Sequence, residues 1–212
     1  MSDRTYDDPC GIARALDLVG ERWALLITRE LLFGPKRFTD LRAGLPTASQ
    51  NVLSHRLREL EESGVVRRHK LGPPAGAWVY ELTDRGHDLR PVIIELARWG
   101  CHAPTASGAQ LSVAALMIAL LTTFSPELAG DLDATYELRV SGEHFRATVA
   151  DGRIDITPGR AENPDAVVET DAGTLRGIVF GGRAITDEIT GGDRRSAARF
   201  LGLFPRPGVV TG

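Results

Sequence analysis

Between Gln50 and Arg58 the chain sets amides, a hydroxyl, an imidazole and a guanidinium at helical spacing. At 100° per residue, Ser49, Leu53, Leu57 and Leu60 fall within about 40° of one direction, which makes them the expected buried stripe. Asn51, Ser54, His55 and Arg58 fall on the opposite side. An ordinary solvated helix face is filled mostly with Glu and Lys. The groups here match base edges instead: Asn or Gln pairs with adenine, Arg with guanine, and Ser with several partners. Glu59, Glu61 and Glu62 come at the far end, where a helix lying in a major groove would be leaving it. Taken alone, this face is either a solvated surface or a reader of duplex DNA.

The surrounding elements bear on that choice. Ile12, Ala15, Leu16 and Val19 recur at helical spacing, and after Gly20 so do Trp23, Leu26, Ile27, Glu30 and Leu31. Gly34-Pro35 stops the second helix. Phe38, Leu41 and Leu45 predict a short third helix, closed by Pro46. Thr47-Ala48-Ser49-Gln50 fits a capping box that starts a fourth helix at Thr47, and this helix runs to about Ser63 before Gly64. Strands follow over 65–71 and 78–82, joined by the turn Gly72-Pro73-Pro74-Ala75-Gly76. Thr83 or Asp84 caps a last helix through Trp99. A short helix, a turn, a polar-faced helix and a basic two-stranded hairpin are the parts of a winged helix-turn-helix, whose second helix enters the major groove. Arg67, Arg68, His69 and Lys70 lie on or beside the wing, and Arg37 and Arg42 flank the preceding helix at positions suited to phosphates.

Four spaced strings strengthen this reading: Leu16-x-x-Val19-Gly20-x-x-Trp23, Gly34-x-x-Arg37-Phe38-x-x-Leu41, Leu53-x-x-Arg56-Leu57-x-x-Leu60-x-x-x-Gly64 and Tyr80-x-Leu82-Thr83-x-x-Gly86. In this order, over about residues 8–100, they resemble the HxlR-type bacterial regulators. The resemblance implies a winged-helix homodimer joined through helices at both ends of the domain, and a two-fold dimer suits a near-palindromic operator on double-stranded DNA. Carried over by position, the DNA-reading residues are Gln50, Asn51, Ser54, His55 and Arg58. Arg37 and Arg56 take phosphate duty, and Arg68 takes the wing role. Some members of that family sense oxidants through a Cys-Pro near the start. Here the order is Pro9-Cys10, ahead of the first helix, and a thiol at a helix N-terminus is generally more reactive. Cys10 is thus the candidate redox-sensing residue.

Residues 103–110 are small and polar, which places a boundary between a DNA-binding domain, 1–103, and a second domain, 104–212. The second domain opens with an apolar helix from Leu111. Strands are expected over 135–140, 144–149, 153–156 and 166–170, with Asp151-Gly152 as a hairpin turn. A helix holding Leu175, Ile178 and Val179 follows. Gly191-Gly192 reads as a turn into a final helix holding Ala197, Phe200 and Leu201. The class is α+β. Tyr136-x-Leu138-x-Val140, Val149-x-Asp151-Gly152, Pro164-Asp165-Ala166-Val167-Val168-Glu169-Thr170 and Gly192-Asp193 leading to Phe200-Leu201-x-Leu203-Phe204 resemble the sterol-carrier-protein-2-like domain. That resemblance implies an apolar site for a lipid-like effector. The candidate wall residues are Leu116, Ile118, Leu121, Phe124, Leu175, Ile178, Phe180, Phe200 and Phe204.

The bulk figures narrow the functional classes. Of 212 residues 42% are hydrophobic, and the net charge is -3. Residues 36–70 nevertheless carry eight Lys and Arg against four Asp and Glu, a local footprint for a polyanion. The start has no signal-peptide pattern. The longest apolar stretch, 111–121, is about half of a bilayer span, so a soluble cytoplasmic protein is expected. No nucleophile elbow, zinc-protease motif or phosphate loop is present, and the five histidines are scattered. No catalytic residue, metal site or cofactor is therefore nominated. Three readings remain: a ligand-responsive DNA-binding regulator, a regulator gated by Cys10 whose second domain serves only oligomerisation, and a lipid carrier.

Overall fold

The computed structural model describes residues 5–103, 109–186 and 188–205. It has α+β architecture in two compact units, divided by their contacts between Ile93 and Ile94. The boundary expected from composition lies beside residues 104–108, which are outside the described residues.

The first unit runs α1 (Gly11–Val19), α2 (Ala24–Leu31), α3 (Phe38–Gly44), α4 (Gln50–Glu62), β1 (Val66–Lys70), β2 (Trp78–Leu82) and α5 (Asp84–His87), with α6 (Arg90–Gly100) crossing the division. Ile27, Leu31, Leu41, Leu53, Leu57, Leu60, Val66, Val79 and Leu82 form its buried core. The helix expected to begin at Thr47 begins at Gln50. Ala48 is buried in a turn whose amide donates to the Leu45 carbonyl, which takes up Thr47. Ser49, expected in the buried stripe, is instead the exposed N-cap and accepts from the Val52 N–H at 3.3 Å. The single helix expected after Thr83 is two, broken around Asp88 and Leu89.

Gly86 explains one of the spaced strings. A Cβ there would sit 2.2 Å from the Val65 carbonyl oxygen, so only glycine lets α5 lie against the start of β1. Thr83 fixes the same junction, its hydroxyl accepting from the Gly86 N–H and donating to the Gly64 carbonyl. This junction ties the base of the wing to the end of α4.

The second unit contains α7 (Val113–Thr123), α8 (Pro126–Ala129), β3 (Ala134–Val140), β4 (Glu143–Ala150), β5 (Arg153–Pro158), β6 (Ala166–Thr170), α9 (Ala172–Gly181), β7 (Ile189–Gly192) and α10 (Arg194–Leu201). The sheet order is β5-β4-β3-β6-β7, antiparallel except for β3 against β6. Asp151 and Gly152 both have positive φ, as a tight hairpin turn requires. Gly191-Gly192, expected as a turn, belongs to β7. Gly192 has φ +76 and a Cβ there would meet the Asp165 carbonyl oxygen at 2.3 Å, so the missing side chain lets the edge strand close on β6. α8 and β7 are too short to show a sequence period. Tyr136, Leu138, Val140, Phe145, Ala147, Val149, Ile156 and Val168 are buried, as are Leu116, Leu175 and Phe200 from the helices.

On the sheet's other parity, Glu137 is 4% exposed. Its carboxylate accepts from Arg139 Nε at 2.8 Å and lies 3.0 Å from His144 Nδ1. Burial pushes this carboxyl up, but the hydrogen bonds from Arg139 and His144 outweigh burial and hold it below the usual glutamate value. A carboxyl depressed in the folded state contributes stability above its unfolded pKa and loses it as pH falls through the folded one. Urea melts from neutral pH into the range below the ordinary glutamate pKa should therefore show a falling acid limb for the wild type. Glu137→Gln should flatten that limb, and an unchanged limb in the variant would contradict the assignment.

Candidate nucleic-acid interface

α4 is oriented by Leu53, Leu57 and Leu60, each buried to within 1%. With those three inward, Gln50, Asn51, His55 and Arg58 are exposed and Ser54 is half-buried at the edge of the same face. The structure thus brings the expected base-reading residues onto one side of one helix. Val52, 39% exposed at the first turn, adds an apolar group that the charge pattern did not single out. Arg42 of α3 reaches toward the Gln50 side-chain oxygen at 3.5 Å. His55 Nδ1 lies 3.3 Å from Glu59.

The cations divide into two groups. Arg37 and Arg58 are exposed and have no ion pair among the described residues. The Arg37 N–H is held by the Asp40 carboxylate at 3.1 Å, which starts α3 directly beside that guanidinium. Arg56 departs from its expected phosphate role. Its side chain is 13% exposed, and its guanidinium is paired with Glu59 of the same helix and with Glu21 at 3.3 Å. A guanidinium already neutralised by two carboxylates gains little from a phosphate. Arg56 instead ties α4 to the α1–α2 turn, which sequence spacing could not reveal because Glu21 lies 35 positions away.

Sequence reasoning placed Glu30 among the apolar-periodic positions of α2. It is fully buried, and its carboxylate accepts from Arg29 at 2.7 Å and from Lys36 at 3.4 Å. A Cβ on Gly44 would lie 2.5 Å from a Glu30 oxygen, so the glycine ending α3 is what lets that helix close over the carboxylate. Lys36 also exchanges both backbone hydrogen bonds with Tyr80 at 2.9 Å. One buried charge therefore links α2, α3 and the wing strand. Burial holds the Tyr80 phenol above its ordinary pKa, against the opposing pull of Arg68, so its hydroxyl stays neutral.

Cys10 is exposed and precedes α1, and Cys101 is half-buried. Of the expected wall residues, Leu116, Ile118, Leu121, Leu175, Phe200 and Phe204 are buried, with Ile178 at the limit of burial. Phe200 stacks on Tyr136 at 4.4 Å and meets Phe204 edge-on at 5.2 Å, and Phe124 follows at 6.3 Å. Phe180 is set apart from that chain. It borders a groove of about 290 Å³ with Gln110, Gly173, Arg176, Gly177 and Gly181. Among the described residues no group of three or more His, Cys, Asp or Glu is placed to hold a metal, and no helix is long and apolar enough to cross a membrane.

A buried-stripe helix with an amide- and guanidinium-bearing outer face, a preceding short helix and a two-stranded hairpin define a winged helix-turn-helix of the transcription-regulator class. The HxlR-like helix-turn-helix family model matches residues 18–106. The uncharacterized HTH-type transcriptional regulator YvaP of Bacillus subtilis is 42% identical over 86 residues, covering 41% of this chain and 80% of YvaP. The HTH-type transcriptional regulator YodB of the same organism is 39% identical over 85 residues, covering 40% and 76%. Among solved structures, the redox regulator HypR in its oxidized form is similar at 30% identity and a TM-score of 0.43, over 46% of this chain and 100% of that one. The chain belongs to the HxlR-like helix-turn-helix family.

Removing the Glu30 carboxylate should be costly, because Arg29 and Lys36 would lose their buried counter-charge. Glu30→Ala is expected to lower unfolding free energy by about 3–5 kcal/mol, the usual cost of breaking a buried pair from one side. Urea denaturation measures it, and a loss near zero would show that the carboxylate does not hold these elements together.

Proposed function

We propose that this protein is a sequence-specific DNA-binding transcription regulator that acts as a homodimer on a near-palindromic operator. Residues 1–103 bind DNA and residues 104–212 form a sterol-carrier-protein-2-like domain that takes an apolar effector. The observation that carries the DNA-binding reading is the outer face of α4, where Gln50, Asn51, Ser54, His55 and Arg58 lie together and Arg42 of α3 reaches Gln50. Arg37 and Arg68 supply phosphate and wing contacts, which give affinity and register. The dimer is supported by large apolar side chains left in solvent on the terminal helices: Ile12, Leu16 and Leu18 on α1, and Val92, Leu96 and Trp99 on α6. Trp99 is 78% exposed, an orientation that suits a contact with a second copy. The effector would act by binding one dimer arrangement more tightly than the other, with a coupling of about 1–3 kcal/mol.

A second reading rests on Cys10, exposed at the start of α1. There, oxidation of the thiol rather than an apolar effector would change DNA affinity. Peroxide sensitivity that persists in Cys10→Ala would remove it.

Fluorescence anisotropy with a duplex selected by the protein from a random pool tests the main reading. Arg58→Ala should weaken binding to the selected duplex by about 1–3 kcal/mol relative to wild type, while binding to a scrambled duplex changes little. Equal, salt-insensitive binding to both duplexes by the wild type would contradict it and favour a lipid carrier. Ile12→Glu on α1 should halve the mass seen by light scattering, and an unchanged dimer would remove that helix from the interface.

A further inference from the structure

The two faces of the β1–β2 hairpin differ in chemistry. Alternation puts Arg67, His69, Val79 and Glu81 on one face, and Arg68, Lys70, Trp78 and Tyr80 on the other. On the first face Glu81 accepts two hydrogen bonds from Arg67, at 3.0 and 2.7 Å, and lies 3.8 Å from His69 Nδ1. Its cation is already matched. On the second face neither Arg68 nor Lys70 has a carboxylate partner among the described residues. Arg68 instead lies over two rings, its Cζ 4.8 Å from the centroid of Trp78 and 5.8 Å from that of Tyr80. The register brings this about, with Arg68 opposite Tyr80 and Lys70 opposite Trp78.

A guanidinium laid on a ring face keeps its N–H edges free while losing side-chain freedom. Trp78 itself is 54% exposed, so the stack stands in solvent. Tyr80 is anchored from behind by its backbone pairing with Lys36, which fixes the rear of the stack to the helical core.

We propose that the wing meets the sugar–phosphate backbone of duplex DNA with the Arg68–Lys70–Trp78 face, and that Trp78 is the positioning residue that holds Arg68 ready for it. The inference rests on the DNA-binding reading. It adds which side of the wing is used, and a residue outside the four family strings. Arg67, although adjacent in sequence and equally basic, takes no part, because Glu81 neutralises it and alternation turns it away.

The test uses the full chain and a fluorescein-labelled random-sequence duplex of about 30 base pairs, titrated over a salt series, since backbone contacts are sequence-independent. Arg68→Ala should weaken binding and reduce the slope of log affinity against log salt by about 0.9 per wing. Arg67→Ala should leave the slope unchanged. Trp78→Ala should weaken binding about two- to fivefold, the scale of an exposed cation–π contact. It should have no further effect when Arg68 is already Ala, and Trp78→Phe should retain most of the affinity. Equal losses for Arg67→Ala and Arg68→Ala would overturn the choice of face. A Trp78→Ala loss of the same size in both backgrounds would overturn the positioning role. If the wild type shows no salt-dependent affinity, the DNA-binding reading itself fails. If Arg58→Ala weakens binding to a selected duplex while Arg68→Ala leaves both affinity and slope intact, only the wing proposal fails.

Discussion

Everything in the first unit depends on how α4 is rotated about its own axis. Three leucines at i, i+4 and i+7, all fully buried, fix that rotation through apolar burial, each contributing about 1.5–3 kcal/mol. The outward residues then follow from geometry alone. Asn51, His55 and Arg58 face solvent because Leu53, Leu57 and Leu60 cannot. A turn of the helix by one residue would expose leucine and bury a guanidinium, and both changes are unfavourable.

Rotation alone does not place a reader. The rest is done by ionic and polar ties of different sequence range. Arg56 joins α4 to Glu21 at the α1–α2 turn, and Glu30 holds Lys36, whose backbone pairs with the wing. Thr83 and Gly86 lock the wing's base to the end of α4. The cations around α4 and the wing thus differ in what they are matched with. Arg29, Lys36, Arg56 and Arg67 are spent on internal carboxylates. Arg37, Arg42, Arg58, Arg68 and Lys70 have no carboxylate partner among the described residues, and they are available to a polyanion.

That division marks the limit of what was legible in the sequence. Periodicity located α1 to α4 and both strands of the wing, because their apolar positions repeat cleanly, but it merged α5 and α6 into one helix. The outer face of α4 followed from the same wheel. Spacing could not tell a free arginine from a paired one, since Glu21 and Arg56 are neighbours only in the fold. The capping box at Thr47 does not start α4, because Ala48 is buried in a turn and Ser49 caps the helix instead. Glu30 read as a member of an amphipathic stripe, and its charge gave no sign that Lys36 and Gly44 would enclose it. Trp78 read only as a strand residue. In the second unit, the short elements α8 and β7 have too few residues for any period to emerge.

Base-edge reading by the outer face of α4, as proposed above, has a direct readout. It is tested most directly by selecting duplexes from a random pool with wild type and with Asn51→Ala, and comparing the enriched sequences. The variant should lose preference at one base pair in each half-site, with the rest of the motif and the salt dependence preserved. Identical motifs, or a uniform loss of enrichment at every position, would contradict it.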